Sequence, residues 1–243
     1  MPRIPLIEDL THEPIPAGSN ILVEFDPTSQ WYNASVTIAT GWVKSGGVSS
    51  YNAYSHTPDD VRSQLRRLGL DVGALEKEEK LRIIDWYTIQ LGQKSKERYA
   101  RESLKVADLS ILYARTMIPT GGSLYPGTGY RLGPDVLRIC DDESVLMRFN
   151  EEKSFLEYYR TREIPVAPAR KSTTIDALVK GVYSEYVYKS WEAMVDGTID
   201  FKLEEEGKST RDLMRIRSMR NVHFDREWHA LKVGENFEVT LEK

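Results

Sequence analysis

The sequence is poor in cysteine and has no long apolar run. Its single cysteine, Cys140, excludes a disulfide within the chain and any metal site built from several thiolates. No apolar stretch approaches the roughly 20 residues that a membrane helix needs. The opening residues, MPRIPLIEDLTHEPIP, carry acids and prolines where a signal peptide would have a basic start and an apolar stretch. We therefore predict a cytoplasmic protein.

Neither sign of charge is in large excess. The 243 residues include 33 Lys and Arg against 37 Asp and Glu, a net charge of −4. This balance argues against a protein that coats polyanions, although it permits a local basic patch. The length is sufficient to bury a sizeable core, and without repeats or low-complexity tracts we expect one domain over residues 1–243.

Strand and helix patterns alternate along the first 160 residues. The predicted strands are 21–25, 48–54, 80–86 and 136–140, and the predicted helices are 33–44, 57–68, 95–114 and 150–160. The second helix has a clear start, because Thr57 suits the N-cap, Pro58 the first helical position and the acids after it the positive end of the dipole. We also expect a helix around 174–180. The order predicts an α/β fold with a mainly parallel sheet, and segments 197–203, 211–219 and 237–241 predict a C-terminal antiparallel edge.

Residues 117–135 are rich in glycine and proline and predict a loop that is functional or mobile. The stretch contains GTGYRLG, but a strand follows it and none leads into it. A phosphate-binding loop needs a strand before it and a helix after it. We therefore do not interpret this segment as a phosphate loop.

Several ordered segments are similar to the KaiC-like branch of the RecA-type P-loop ATPases. Five segments carry the resemblance. Residues 4–19 resemble the family pattern "I-P-G-L-D-E-L … G-I-P-x-G-S", and residues 57–71 resemble "S-P-E-Q-L … L-G-W-D". Residues 80–85, 196–199 and 219–229 resemble "K-L-R-I-I-D", "D-G-V-I" and "K-M-R-G-T … W-H", respectively. The resemblance spans nearly the whole chain and implies a RecA-like sheet flanked by helices. It agrees with the α/β pattern above.

The phosphate-binding motif of that family, G-x-x-x-x-G-K-[ST], is degenerate at the matching place. The positions are occupied by Asp26, Pro27, Thr28, Ser29, Gln30, Trp31 and Tyr32. Asp26 and Gln30, with one residue fewer between them than the motif has, stand in place of the glycines that let backbone N–H groups wrap phosphates, and Trp31 replaces the lysine. Tyr32 replaces the small hydroxyl that holds Mg²⁺. We therefore predict that the protein binds no nucleotide, metal or other cofactor and that it has no catalytic residue of the family type.

The sequence does not retain the family's acidic pair, but it retains the Walker B aspartate. Ser55 and His56 stand where the acidic pair would activate water, and of these only histidine has a suitable pKa. Asp141 matches the Walker B aspartate, with Asp142 beside it and Ser144 at a common family serine. The acids suit a divalent cation, a strand-end turn or a helix cap, and we favour a structural role. For His56 we favour a surface histidine beside a helix start.

Basic residues near the C-terminus match a feature of subunit boundaries in KaiC-like rings. The resemblance implies that Arg220 reaches the nucleotide of a neighbouring subunit, whereas Ser218 stands where a lysine is usual. Arg215, Arg217 and Arg220 alternate with apolar residues, so we expect them to share one face of a strand. That face would meet a partner, a nucleic acid or solvent.

Three functions stay open. The first is a pseudo-ATPase that acts through assembly with itself or with a KaiC-like paralogue, and it is the one we favour. The second is an ATP-binding or ATP-hydrolysing protein with an unusual P-loop, using Asp141, Asp142 and His56. The third is a DNA-binding RecA-like module, suggested by basic residues in 94–105 and 211–220. Trp31 and Tyr32, if exposed, would suit a protein contact, and Cys140 in a buried strand suits inert packing.

Overall fold

A nine-stranded sheet forms the centre of the molecule. The computed structural model describes residues 2–116, 133–207 and 209–242. The strands are β1 Asn20–Phe25, β2 Val48–Ala53, β3 Leu81–Asp85, β4 Val136–Cys140, β5 Thr173–Val179, β6 Gly197–Glu206, β7 Ser209–Met219, β8 His229–Val233 and β9 Val239–Leu241. Their order across the sheet is β3-β2-β4-β5-β1-β6-β7-β8-β9. The α/β prediction with a mainly parallel sheet is confirmed.

The sheet changes from parallel to antiparallel at β6. This strand pairs parallel with β1, through Ile21 opposite Gly197, and antiparallel with β7. Strands β7, β8 and β9 continue the antiparallel pairing, so the predicted C-terminal antiparallel edge is present. A register shift between Thr198 and Ile199 marks a bulge in the β6–β7 pair, and such bulges bend a strand locally.

Helices cover both faces of the sheet. They are α1 Trp31–Lys44, α2 Pro58–Arg67, α3 Val72–Lys77, α4 Tyr87–Gln90, α5 Val106–Thr116, α6 Ser144–Met147, α7 Glu152–Tyr158, α8 Val166–Arg170 and α9 Glu185–Glu192, with a π-helix at Tyr159–Glu163. The predicted cap of α2 is confirmed: the Thr57 hydroxyl accepts from the backbone N–H of Asp60, whose carboxylate accepts in return from Thr57. Within the described residues no helix has both the length and the apolar character needed to cross a bilayer.

The two faces of the sheet differ in chemistry. Successive side chains of a strand point to opposite faces, so each strand contributes to both. One face packs with α1, α2 and α3 in an apolar core to which the sheet contributes residues such as Val23, Ile139 and Ile175. The other face packs with α5, α6, α7 and α9, and there buried charged residues including Arg138 and Asp176 share the sheet with apolar ones. We call these the apolar face and the charged face.

The N-terminal segment packs closely on α1. A Cβ atom added at Gly41 would lie 2.3 Å from Cγ of Pro5, so glycine is what lets the segment approach. Ile4, Leu6 and Ile7 are buried in the same core. Helix α1 is therefore enclosed between this segment and the sheet.

The helix predicted around 174–180 is wrong, because these residues form β5. Ile175 and Ala177 belong to the apolar core, whereas Thr174 and Asp176 point to the opposite face, which is the period of a strand. Pairing decides the outcome: β5 lies between β4 and β1 and is hydrogen-bonded to both. A short segment whose spacing suits either element takes the one that completes the sheet.

The helix predicted over 95–114 begins only at Val106. The preceding residues instead run beside the outer strand β3, where Asp85 donates its N–H to the Tyr99 carbonyl and accepts from the N–H of Arg101. Covering this edge satisfies backbone groups that would otherwise be exposed at β3. The sequence patterns do not predict strand β8 or the short helices α3, α4, α6, α8 and α9. Most of the predicted 117–135 loop lies outside the described residues.

Candidate functional site

Three segments that the sequence singled out follow parallel strands. Residues 26–30 follow β1, Ser55 and His56 come soon after β2, and Asp141 follows β4. The carboxyl ends of parallel strands lie at one edge of a sheet, where ligands of α/β proteins bind. This edge is therefore the candidate site.

The loop between β1 and α1 is a short turn closed by its own hydrogen bonds. Asp26 donates its N–H to the Phe201 carbonyl at 3.0 Å. The Asp26 carbonyl accepts from the N–H of Ser29 at 2.9 Å and from its hydroxyl at 2.7 Å. A phosphate cradle needs backbone N–H groups aimed at the ligand. Here the N–H groups of Asp26 and Ser29 are already bound within the protein.

Trp31 is buried, with 1% of its surface exposed. Its indole N–H donates to the backbone carbonyl of Asp141 at 2.7 Å. The ring packs against Phe25 and Phe201, with centroid distances of 6.3 Å and 5.3 Å. Trp31 is therefore not exposed, as a contact with another protein would require. Its side chain belongs to the apolar core and joins the start of α1 to the end of β4.

Tyr32 points to a different partner, the imidazole of His56. The two rings stack with centroids 3.4 Å apart and planes 13° from parallel. Burial, with the nearby Asp141 and Asp60 carboxylates, raises the pKa of the Tyr32 phenol. The phenol thus stays protonated at neutral pH.

The Asp141 carboxylate is enclosed by hydrogen-bond donors from the end of β2. Oδ1 accepts from the backbone N–H of Tyr54 at 2.7 Å, and Oδ2 accepts from the Ser55 hydroxyl at 3.2 Å. His56 Nδ1 lies 3.5 Å from Oδ2. This arrangement fixes the carboxylate and links the ends of β2 and β4. A cation there would have to displace some of these donors.

Asp142 has a local structural contact, as the sequence interpretation favoured. Its Oδ1 accepts from the backbone N–H of Ser144 at 3.0 Å, at the start of α6. Burial raises the pKa of the Asp142 carboxyl to about 6. Ser144 in turn accepts from the Val179 N–H at 2.9 Å through its hydroxyl, which ties α6 to β5.

Comparison with solved structures identifies the architecture that carries this site. The crystal structure of the KaiC-like protein PH0186 from the hyperthermophilic archaeon Pyrococcus horikoshii OT3 is similar over 100% of this chain and 97% of that one, with a TM-score of 0.69 and 16% identity. The chain has the KaiC-like fold of the RecA type. No protein-family model and no curated protein matches the sequence.

Of the three arginines near the end of this KaiC-like fold, Arg215 and Arg217 share one face of β7, as predicted, whereas Arg220 lies outside the strand. Arg215 and Arg217 both ion-pair on the charged face, Arg215 with Asp200 at 2.9 Å and Arg217 with Glu24 at 2.6 Å. Arg220 lies beyond the end of β7 and donates to the Ala193 carbonyl at 3.0 Å. Met214, Ile216 and Met219 all lie in the apolar core, so the register shift in the β6–β7 pair interrupts strict alternation before Arg220. More than half of the Arg220 side chain remains exposed.

The basic segment 94–105 is also partly committed to the fold. Arg101 is buried with its guanidinium 4.9 Å from the Trp86 ring centroid. Arg98 pairs with Glu79, and the Lys105 ammonium donates to the Phe149 carbonyl. These contacts reduce the free positive charge that the segment offers to a nucleic acid.

Sequence reasoning missed the buried ion pairs of the charged face. Arg138 pairs with Glu163 and with Asp176, the latter at 2.9 Å, and Lys180 pairs with Asp200 at 3.1 Å. A signal was present, because arginine interrupts the otherwise apolar β4 and aspartate interrupts β5. Charged residues are almost never fully buried unless paired, so each predicts a partner.

Proposed function

We propose that the chain is a KaiC-like protein that has lost nucleotide binding and hydrolysis and acts through protein assembly. The observation that carries the proposal is Trp31, which stands at the position of the P-loop lysine and donates its indole N–H to the Asp141 carbonyl at 2.7 Å. The lysine of a working P-loop reaches the β- and γ-phosphates. An indole buried in the core supplies no positive charge to them.

The charges around this position support the same conclusion. Asp26 places a carboxylate at the start of the loop, where it repels a polyphosphate. Asp141, the residue matched to the Walker B aspartate, already accepts from Tyr54 and Ser55. Both the phosphate side and the metal side of a nucleotide site are therefore unfavourable.

Calorimetric titration with ATP and Mg²⁺ tests the loss of nucleotide binding. We expect no saturable heat up to millimolar ATP, and a micromolar dissociation constant would refute the proposal. Asp26→Asn serves as a matched control that removes the repelling charge without changing size. It should still not bind, since the missing lysine is not restored.

Assembly is tested by light scattering over a range of protein concentrations, alone and with an active KaiC-like paralogue. We expect a mass above that of one chain, and in the mixed sample a complex weakened by Arg220→Ala. Arg211→Ala removes another half-exposed arginine, near the opposite end of β7, and is the control. A single-chain mass in both samples would contradict the proposal.

A second function, phosphate-releasing catalysis, is favoured by one contact. His56 Nδ1 lies 3.5 Å from the Asp141 carboxylate, which positions the imidazole, and a third of the His56 side chain is exposed. A histidine held by an acid is a common general base. The hypothesis of catalysis predicts that the protein releases phosphate from ATP and that this activity disappears in His56→Gln and in Asp141→Ala. Absence of turnover above a buffer control would eliminate it.

A further inference from the structure

The charged face contains a compact group of metal-ligand atoms. Cys140 lies at the end of β4, Glu143 follows it, and Asp176 lies in the adjacent strand β5. One ligand atom from each of the three residues lies within 4.8 Å of the other two. Each residue is no more than 1% exposed. Cys140 lies on the charged face and Trp31 in the apolar core of the other face, although the group borders the candidate edge at Asp141.

Two carboxylate oxygens of this group are buried without a hydrogen-bond partner. They are Oε2 of Glu143 and Oδ2 of Asp176. The Cys140 sulfur and one oxygen from each carboxylate lie within 4.8 Å of one another, so all three side chains converge. An unsatisfied buried polar atom lowers the stability of a fold, and it does so more when it is charged. The fold therefore places strong acceptors where nothing described meets them.

The charges of this region do not balance. Within the described part of the chain, Arg138 pairs with Asp176 and with Glu163, which also accepts from the Tyr158 hydroxyl. Glu143 adds a third carboxyl group to this one guanidinium. Burial raises the pKa of both Glu143 and Asp176, as expected for acids without enough positive charge nearby. A divalent cation would supply the missing charge.

We propose that Cys140, Glu143 and Asp176 bind one Zn²⁺ ion that stabilises the fold. A thiolate with two carboxylates is a borderline donor set that suits zinc and disfavours magnesium and calcium. Zinc bonds of about 2.0–2.3 Å place tetrahedral ligands about 3.5 Å apart, so small side-chain rotations close the observed spacing, and the second oxygen of Glu143 completes the four donors. The thiol, and each carboxyl group that is still protonated, loses its proton to solvent when the zinc bonds form. Arg138 donates to Asp176 Oδ1 and thereby orients the Asp176 carboxylate, so that its other oxygen can bind the zinc.

Because the group is buried, zinc would enter while the chain folds. The test is therefore to unfold the protein in chelator, refold it with Zn²⁺ or with Co²⁺, and measure bound metal by mass spectrometry after gel filtration. We expect one Zn²⁺ per chain. Co²⁺ should give the near-ultraviolet absorption of a cobalt–thiolate bond. Cys140→Ala should fold and retain less than a tenth of the metal, whereas the control Asp142→Asn, in the neighbouring acid, should retain all of it.

Two results would overturn the proposal. If refolded wild-type protein holds less than a tenth of an equivalent of metal, a proton shared between Glu143 and Asp176 carries the missing charge. If Cys140→Ala retains as much metal as wild type, the ion binds elsewhere. Should Cys140→Ala fail to fold, the cobalt–thiolate band of the wild-type protein decides alone, because Cys140 is the single cysteine. The ATP titration is independent of both results.

Discussion

The two faces of the sheet are stabilised in different ways. Toward α1, α2 and α3, the strands present Val23, Ile139 and similar apolar side chains to a continuous core. Toward α7 and α9, the same strands present Arg138, Asp176 and Asp200, which are buried but paired. Apolar packing tolerates small changes of shape, whereas a buried ion pair depends on both partners. Substitutions on the two faces should therefore differ in size and in pH dependence.

The largest effect should come from Arg138→Met, which breaks the charged face. The change leaves Asp176 and Glu163 buried without their guanidinium, and removing one partner of a buried pair costs about 3–5 kcal/mol. Urea unfolding measures the loss. The deficit should shrink at acid pH, because protonation removes the charge of the stranded acids. A deficit that is equal at neutral and acid pH would show that lost packing, and not unpaired charge, is responsible.

Trp31→Phe tests the junction between the apolar face and the candidate site. Phenylalanine keeps most of the ring packing on Phe25 and Phe201 but cannot donate to the Asp141 carbonyl. An unsatisfied buried acceptor costs about 1–3 kcal/mol, measurable by urea unfolding. The variant should also leave ATP binding absent, since no cation is added. Unchanged stability would mean that water replaces the indole.

Ile139→Val sharpens the comparison from the neighbouring position of the same strand. Ile139 is fully buried on the apolar face, beside Arg138 in sequence but on the opposite side of the sheet. Removing one methylene costs about 0.5–1.5 kcal/mol. This loss should be the same at neutral and acid pH. A pH-dependent loss would show that the two faces are coupled.

The smallest effect concerns Glu79, at the rim of the charged face. Burial opposes ionisation of this carboxyl, but hydrogen bonds from Tyr99 and Arg82 outweigh it and lower the pKa of Glu79. A lowered pKa adds stability above the ordinary value, and this is lost as pH falls through the lowered one. Glu79→Gln should therefore reduce stability near neutral pH by about 0.2–1 kcal/mol and by less in acid. Equal unfolding midpoints at neutral pH would contradict the expectation.

The fold was more predictable from sequence than the contacts of the site. Local signals sufficed for the cap at Thr57 and for the alternation of strands and helices, because they depend on neighbouring residues. Strand β5 was missed because its identity depends on pairing with β4 and β1, which no local pattern encodes. The bond from Trp31 to Asp141 joins positions 110 residues apart. Position matching singled out both residues, but only the folded chain brings them together.

Asp141 holds a helix and a strand end at once: its carbonyl accepts from Trp31 at the start of α1, and its carboxylate accepts from the backbone of Tyr54 just after β2. An amide hydrogen just beyond the end of a strand usually exchanges quickly with solvent, since fraying exposes it. The amide of Tyr54 has instead a buried acceptor that is itself anchored on the helix side. Deuterium should reach it only when a larger part of the molecule opens, so this edge of the sheet behaves as part of the slow-exchanging centre.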